Sequence, residues 1–225
     1  QRQIWIRVSY GYGACFYLEM GVANPVLSKV NMGKAIAYAI DRGQFVATVL
    51  QNSSKPATSL TPAAVNGLNS AFPEEVGELF PPAGDADKAK EYLDTALSEL
   101  GMTAEEASAE LSMITDDTDT ATKIGAFIKE QLNSKLGIDI TIESMPFKSR
   151  IERMQNKDFD IVFAGWSPDY NDPNTFLDIF VSTGGNNHTH YASETYDKLV
   201  TDAAAELDAE ARMGIFYQIE QLIAE

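Results

Sequence analysis

The sequence predicts an α/β fold, a mixed sheet flanked by helices, and three observations carry that expectation. Apolar runs with strand character alternate along the chain with runs whose apolar residues recur at helical spacing. The run FDIVFA (159–164) is apolar at nearly every position, as a central strand covered on both faces must be. The helical runs bring their own start and stop residues, so strands and helices separate into the alternating order that builds layers.

Taken in order, CFYLEM (15–20) reads as a strand. NMGKAIAYAIDRGQFVATVL (31–50) reads as one helix with Ile36, Ala39, Ile40 and Val46 near one face. A polar connection rich in Pro, Ser and Gly follows (53–84), longer than ordinary connectors and therefore either a functional excursion or a wrap around other elements. The next helix begins at Asp85 as cap, carries Ala89, Tyr92, Leu93, Ala96, Leu97 and Leu100 on one stripe, and stops at Gly101. ELSMIT (110–115) reads as a strand, and a helix with Ile124, Phe127, Ile128, Leu132 and Leu136 on one side ends at Gly137. IDITIES (138–144) alternates, with Ile138, Ile140 and Ile142 inward. A short helix around Ile151 and Met154 leads into FDIVFA, and two helices close the chain, from Glu194 to about Leu207 and from about Ala209 onward.

Composition bounds the function. A chain of 225 residues that is 44% apolar can bury a substantial core. Its net charge of −16 argues against a nucleic-acid backbone or an anionic membrane surface as partner, since both require clustered Lys and Arg, and the acids are spread as on a solubilising surface. Cys15 stands alone, so there is neither an internal disulfide nor a cysteine-rich zinc site. No apolar run approaches the roughly 20 residues that cross a bilayer, and QRQIWIRV lacks a secretory pattern. The chain begins without Met, and EARMGIFYQIEQLIAE (210–225) ends with Ile215, Ile219, Leu222 and Ile223 still in helical register, which reads as a piece of something longer.

The stretch GWSPDYNDPNTF (165–176) concentrates the candidate chemistry directly after the central strand, where open α/β sheets bind ligands. Asp172 precedes Pro173 and the apolar pattern Phe176, Leu177, Phe180, the arrangement of an N-cap followed by proline at the first helical position. Asp169 has two readings: an Asx turn after Pro168, or an anchor for an ammonium group beside the aromatic faces of Trp166 and Tyr170. Trp166 is a core aromatic or a cleft wall. His188 and His190 in NNHTHY read as loop polar groups, since no further metal ligand is near in sequence. DDTDT (116–120) lacks the glycine and glutamate of a calcium loop and reads as a helix-capping acidic cluster. There is no nucleophile elbow, P-loop or dinucleotide glycine pattern, and no cofactor is expected; among 33 acids no pair stands out for glycosidic chemistry.

Four segments, NMGKAIAYAIDRGQFV, DADKAKEYLDTALSELG, FDIVFAGWSPDYNDPNTFLDIF and HYASETYDKLVTDAA, resemble in order and spacing the carboxy-terminal lobe of the oligopeptide- and dipeptide-binding receptors of ABC transporters. The resemblance covers nearly the whole chain and about half of a complete family member. It implies a periplasmic-binding-protein-like fold, with residues 1–225 as a single α/β lobe of a two-lobe receptor whose amino-terminal lobe and final segment lie outside this sequence. It further implies that Asp169 pairs with the amino group of a peptide, that Trp166 lines the cleft, and that Tyr170, Asn186, Asn187 and His190 border it. Some relatives carry an arginine three residues before the tryptophan, where this chain has Phe163. The implied protein is no enzyme: it is an extracytoplasmic, lipid-anchored monomer, without metal or cofactor, that captures oligopeptides and hands them to a membrane permease. Receptors for nickel chelates, haem or oligosaccharides share the fold, and a secreted carbohydrate-active enzyme using two carboxylates is the alternative from another class.

Overall fold

The computed structural model describes residues 8–9 and 13–224. The amino-terminal stretch QRQIWIR and the last residue lie outside them. The strands are β1 (Val8–Ser9), β2 (Cys15–Met20), β3 (Lys55–Pro56), β4 (Ser112–Asp116), β5 (Thr141–Met145) and β6 (Ile161–Trp166), and they form one mixed sheet in the order β3-β1-β2-β6-β4-β5. β2 pairs antiparallel with β6 from Cys15–Trp166 to Met20–Ile161, while β4 lies parallel to both β6 and β5.

The helices are α1 (Val30–Ala39), α2 (Arg42–Phe45), α3 (Phe72–Val76), α4 (Ala86–Leu100), α5 (Ala104–Ala109), α6 (Asp119–Leu136), α7 (Phe147–Gln155), α8 (Asn174–Leu177), α9 (Glu194–Ala205) and α10 (Ala209–Ala224). Alternation along the strands divides them between two faces. Leu18, Met20, Met113 and Ile161 point toward α1, α4 and α6, whereas Cys15, Tyr17, Ile114, Val162 and Ala164 point toward α7 to α10. Both faces of β6 are therefore covered along its first half, as its unbroken apolar run requires.

The single helix expected over 31–50 is two helices and a turn. Ile40 is extended (φ −86°, ψ 119°), and Asp41 caps α2 by accepting from the Gln44 N–H at 2.8 Å. Arg42 is buried, and its guanidinium donates to the carbonyls of Ala37 at 3.1 Å and Pro81 at 3.2 Å. The carbonyls left open at the end of α1 thus find donors, Ala37 from Arg42, Tyr38 from the Asp85 N–H and Ala39 from Lys135 on α6, which makes the break stable. After α2 the chain widens into a π-helical turn over Val46–Leu50.

Helix α5 was not anticipated, although its signal is local. Thr103 and Glu106 form a reciprocal capping box, Thr103 N–H to Glu106 at 2.8 Å and Glu106 N–H to Thr103 at 3.2 Å. IDITIES buries Ile138 and Ile140 as expected, but the ladder begins only at Thr141, so β5 is a short edge strand. The long connection is a wrap: Leu60, Val65 and Phe72 are buried, and Glu220 on α10 accepts from the N–H groups of Leu60 and Thr61 and from the Thr61 hydroxyl.

Candidate functional site

The path of the chain around β4 opens the site. From β4 the chain crosses through α6 to β5 on one side, then returns through α7 to β6 on the other. Crossovers of one hand running in opposite directions leave their helices on opposite faces, so α6 and α7 part above the carboxyl ends of β4 and β6. A cavity of about 470 Å³ occupies that gap. Its walls come from Thr118 and Ile124 on the α6 side, Phe147, Ile151 and Met154 on α7, Ile114 and Phe163 from the sheet, and Ile179, Asn186 and His188 from the loop after α8.

The Gly-Trp pair that ends β6 has a steric origin. Gly165 sits opposite Phe16 on β2, and a Cβ at Gly165 would come within 2.6 Å of the Phe16 ring. Without it the ring lies across the strand and stacks on Phe163, with centroids 5.7 Å apart, and Phe163 meets Phe45 at 5.9 Å. Phe163 is thus part of an aromatic cluster with Phe16 and Phe45, while Trp166 packs against the core on the other face of β6.

Beyond Trp166 the buried hydroxyl of Thr175 organises the loop. It accepts from the indole N–H of Trp166 at 3.4 Å and from the backbone N–H of Asp169 at 3.2 Å. Asp169 is exposed, and its carboxylate has no hydrogen bond or ion pair among the described residues. Burial first, and the Asp169 charge after it, push the carboxyl of Asp178 above the usual range, so the two acids lie close enough to make a negative spot. Tyr170 is half exposed and accepts a hydrogen bond from Asn174 at 3.2 Å.

The N-cap of α8 falls on Pro173 and not on Asp172 as expected, and Asp172 acts just ahead of the helix. Its Oδ1 accepts from the Asn174 N–H at 3.0 Å, and its two oxygens take a bidentate pair of bonds from Arg212 on α10 at 2.6 and 3.1 Å. Arg212 also donates to the Ala203 carbonyl, so this one side chain ties α8, α9 and α10 together.

At the floor of the cavity stands Glu19 of β2, 3% exposed. His188 Nδ1 lies 3.5 Å from its Oε2, at the outer limit of a hydrogen bond, and neither atom has a hydrogen-bond partner among the described residues. Burial raises the Glu19 carboxyl above its ordinary range, and His188 and the Arg150 charge only partly offset this. Arg150 itself is held by Asp116 at 2.6 Å and lies over the Phe147 ring.

Of the residues singled out in the sequence, the structure brings Trp166 and Asn186 to the cavity and places Asp169 and Tyr170 on the loop just beyond it. It places Asn187 and His190 elsewhere. Asn187 is 1% exposed, and its amide donates to the carbonyls of Phe180, Val181 and Tyr191 while accepting from Thr189. His190 is exposed with a left-handed backbone (φ 62°), and it is His188 that reaches the cavity. DDTDT does hold the helix cap, through Thr118 accepting from the Ala121 N–H, but Asp116 instead pairs with Arg150. Sequence reasoning missed Glu19, although a glutamate inside CFYLEM, in register with inward-facing Cys15 and Tyr17, was a readable signal. Among the described residues no group of three or more His, Cys, Asp or Glu side chains converges as a metal site.

The profile of the family described as bacterial extracellular solute-binding proteins, family 5 Middle, matches residues 2–188. The oligopeptide-binding protein OppA of Bacillus subtilis is 28% identical over 214 residues, which are 95% of this chain and 38% of that protein. A solved structure of Listeria monocytogenes OppA bound to peptide superposes with a TM-score of 0.83 at 30% identity, over 98% of this chain and 43% of that one. A solved peptide-binding protein of a peptide ABC transporter matches at a TM-score of 0.84 and 30% identity over 94% of both chains. The chain spans less than half the length of the curated relatives it matches. On the family match over residues 2–188 and the shared fold, this chain belongs to family 5 of the bacterial extracellular solute-binding proteins.

Proposed function

We propose that residues 1–225 are a single α/β lobe of the oligopeptide receptor of an ABC importer, a binding module rather than an enzyme. In this reading the complete receptor is an extracytoplasmic, lipid-anchored monomer that closes over a peptide and delivers it to a membrane permease. Asp169 receives the peptide's amino group, and Trp166 forms the adjoining wall.

The observation that carries the reading is the Asp169 carboxylate. It is exposed, without a protein partner among the described residues, and its backbone N–H shares the Thr175 hydroxyl with the indole of Trp166, which lines a cavity above the sheet's switch point. A carboxylate so placed favours an ammonium group by a charge-assisted hydrogen bond, and the aromatic face adds to it. That OppA was solved with peptide bound supports the same ligand class. The test is calorimetric titration of the full-length receptor with a tripeptide and its N-acetylated form. The acetylated peptide is expected to bind about 10- to 100-fold more weakly, the loss of one charge-assisted bond. Equal affinity for the two forms removes the ammonium role from Asp169.

A further inference from the structure

The turn over 66–71 is gathered around a carboxylate from outside it. Glu75 of α3 accepts from the N–H groups of Leu68 at 2.8 Å, Asn69 at 2.5 Å and Ser70 at 2.7 Å, and from the Tyr217 hydroxyl. A seat this close leaves no room for a side chain at position 67. A Cβ there would fall onto the Glu75 carboxylate, which cannot swing aside without giving up those bonds, so the turn requires Gly67.

The residue before it is Asn66, and the two form an Asn-Gly pair. Asn66 is exposed, and its side-chain amide has no hydrogen bond among the described residues. In such a pair the backbone nitrogen of the second residue attacks the side-chain carbonyl carbon of the first, and glycine obstructs that approach least. Two features of the folded turn oppose the attack. The Gly67 N–H is donated to the Ser70 carbonyl at 2.8 Å, and the adjacent Glu75 charge disfavours the deprotonated nitrogen that acts as nucleophile. Glu75 therefore both imposes the labile pair and shields it.

We propose that Asn66 is a site of spontaneous deamidation whose lifetime is set by Glu75. When the turn opens, the Gly67 nitrogen bonds to Cγ of Asn66, and the side-chain nitrogen leaves as ammonia, carrying the proton that Gly67 gave up. One water then opens the resulting succinimide at either carbonyl, giving aspartate or isoaspartate with no change of oxidation state. Either product sets a second carboxylate beside Glu75, and isoaspartate also lengthens the backbone by one carbon. The Asn66 N–H, which braces the Asn171 side chain at 3.1 Å, is then no longer held in place, and the loop bearing Asp169 and Tyr170 loses its link to this turn whatever ligand it meets.

The test is incubation of the full-length protein at pH 7.4 and 37 °C as wild type, as wild type in guanidinium chloride and as Glu75→Ala, with peptide mapping by mass spectrometry to read aspartate and isoaspartate at position 66. Native wild type is expected to convert about tenfold more slowly than the denatured chain, a barrier difference of about 1.4 kcal/mol, and Glu75→Ala about tenfold faster than native wild type. The two wild-type samples decide the matter even if the variant fails to fold. Equal rates with and without denaturant overturn the protection, and a folded variant that converts no faster takes the role away from Glu75. No conversion in denaturant removes the site altogether. The converted protein, separated by anion exchange on its added charge, should show faster hydrogen exchange over residues 166–171 than the unconverted protein. Unchanged exchange there overturns the coupling to the loop.

Discussion

From Trp166 to Asn171 the chain is mostly exposed and the Asp169 carboxylate has no partner among the described residues, whereas between Asp172 and Tyr191 two side chains, Asp172 and Asn187, are tied to backbone and to a distant helix. The contrast is sharpest between two aspartates three positions apart. Asp169 contributes only its backbone N–H to the structure, while Asp172 accepts from the Asn174 N–H and grips Arg212 forty residues further on. Residue type is the same for both, and local sequence already separates them, since only Asp172 precedes a proline and an apolar helical pattern. The fold adds a long-range partner to Asp172 alone, a division of labour in which the anchored half holds the open half at a fixed height above the cavity.

Breaking the anchored half should give the largest effect. Asn187→Ala removes the donor from three carbonyls inside the loop and the acceptor of Thr189, and is expected to lower stability by about 3 kcal/mol in chemical denaturation. A loss under about 1 kcal/mol would mean that the loop is not organised around this amide. Next comes the open half. Asp169→Asn should weaken binding of peptides with free amino termini by roughly 1.5 to 3 kcal/mol in the full-length receptor, yet shift stability by no more than about 0.5 kcal/mol. Asp172→Ala should do the reverse, lowering stability by about 1.5 kcal/mol, about 1 from the lost bond to the Asn174 N–H and the rest from a partly exposed ion pair. Were both aspartates to change stability alike, the contrast between the halves would collapse.

Much of the fold was legible because it is written in local chemistry. Asp85 and Gly101 bound α4, and Gly137 ends α6 in a left-handed conformation, each a cap or stop that a few neighbouring residues specify. The break after Ala39 was not legible, because it depends on Arg42 reaching carbonyls at Ala37 and Pro81. The candidate site divides along the same line. Trp166, Asn186 and the loop of Asp169 and Tyr170 follow from their place after the central strand, whereas Glu19 and Arg150 reach the cavity from β2 and α7, about 150 and 20 positions away in sequence. Asn186 and Asn187 look equivalent in sequence. Only the folded loop shows that one lines the cavity and the other holds the loop together.

The smallest expected effect tests whether the open half is also braced from the side. Asn66 donates its N–H to the Asn171 side chain at 3.1 Å, linking the end of the open half to the turn over 66–71. That turn is gathered by Glu75, whose carboxylate accepts from the Tyr217 hydroxyl and from the N–H groups of Leu68, Asn69 and Ser70. The Tyr217 bond foremost, and those backbone bonds with it, hold the Glu75 carboxyl down at about 2 against an ordinary 4.5, although partial burial pushes the other way. A carboxyl depressed in the folded state binds fewer protons there than in the unfolded chain, so its contribution is complete above about pH 4.5 and fades as the pH falls toward about 2. Urea denaturation of the wild type and Glu75→Gln between pH 2.5 and 6 measures it. At pH 6 the variant should be less stable by under about 1 kcal/mol, since solvent screens so exposed a group, and the gap should narrow as the pH drops. A gap that stays constant across that range would mean that Glu75 is not bound in its charged form, and that the open half is held by the Asp172–Tyr191 side alone.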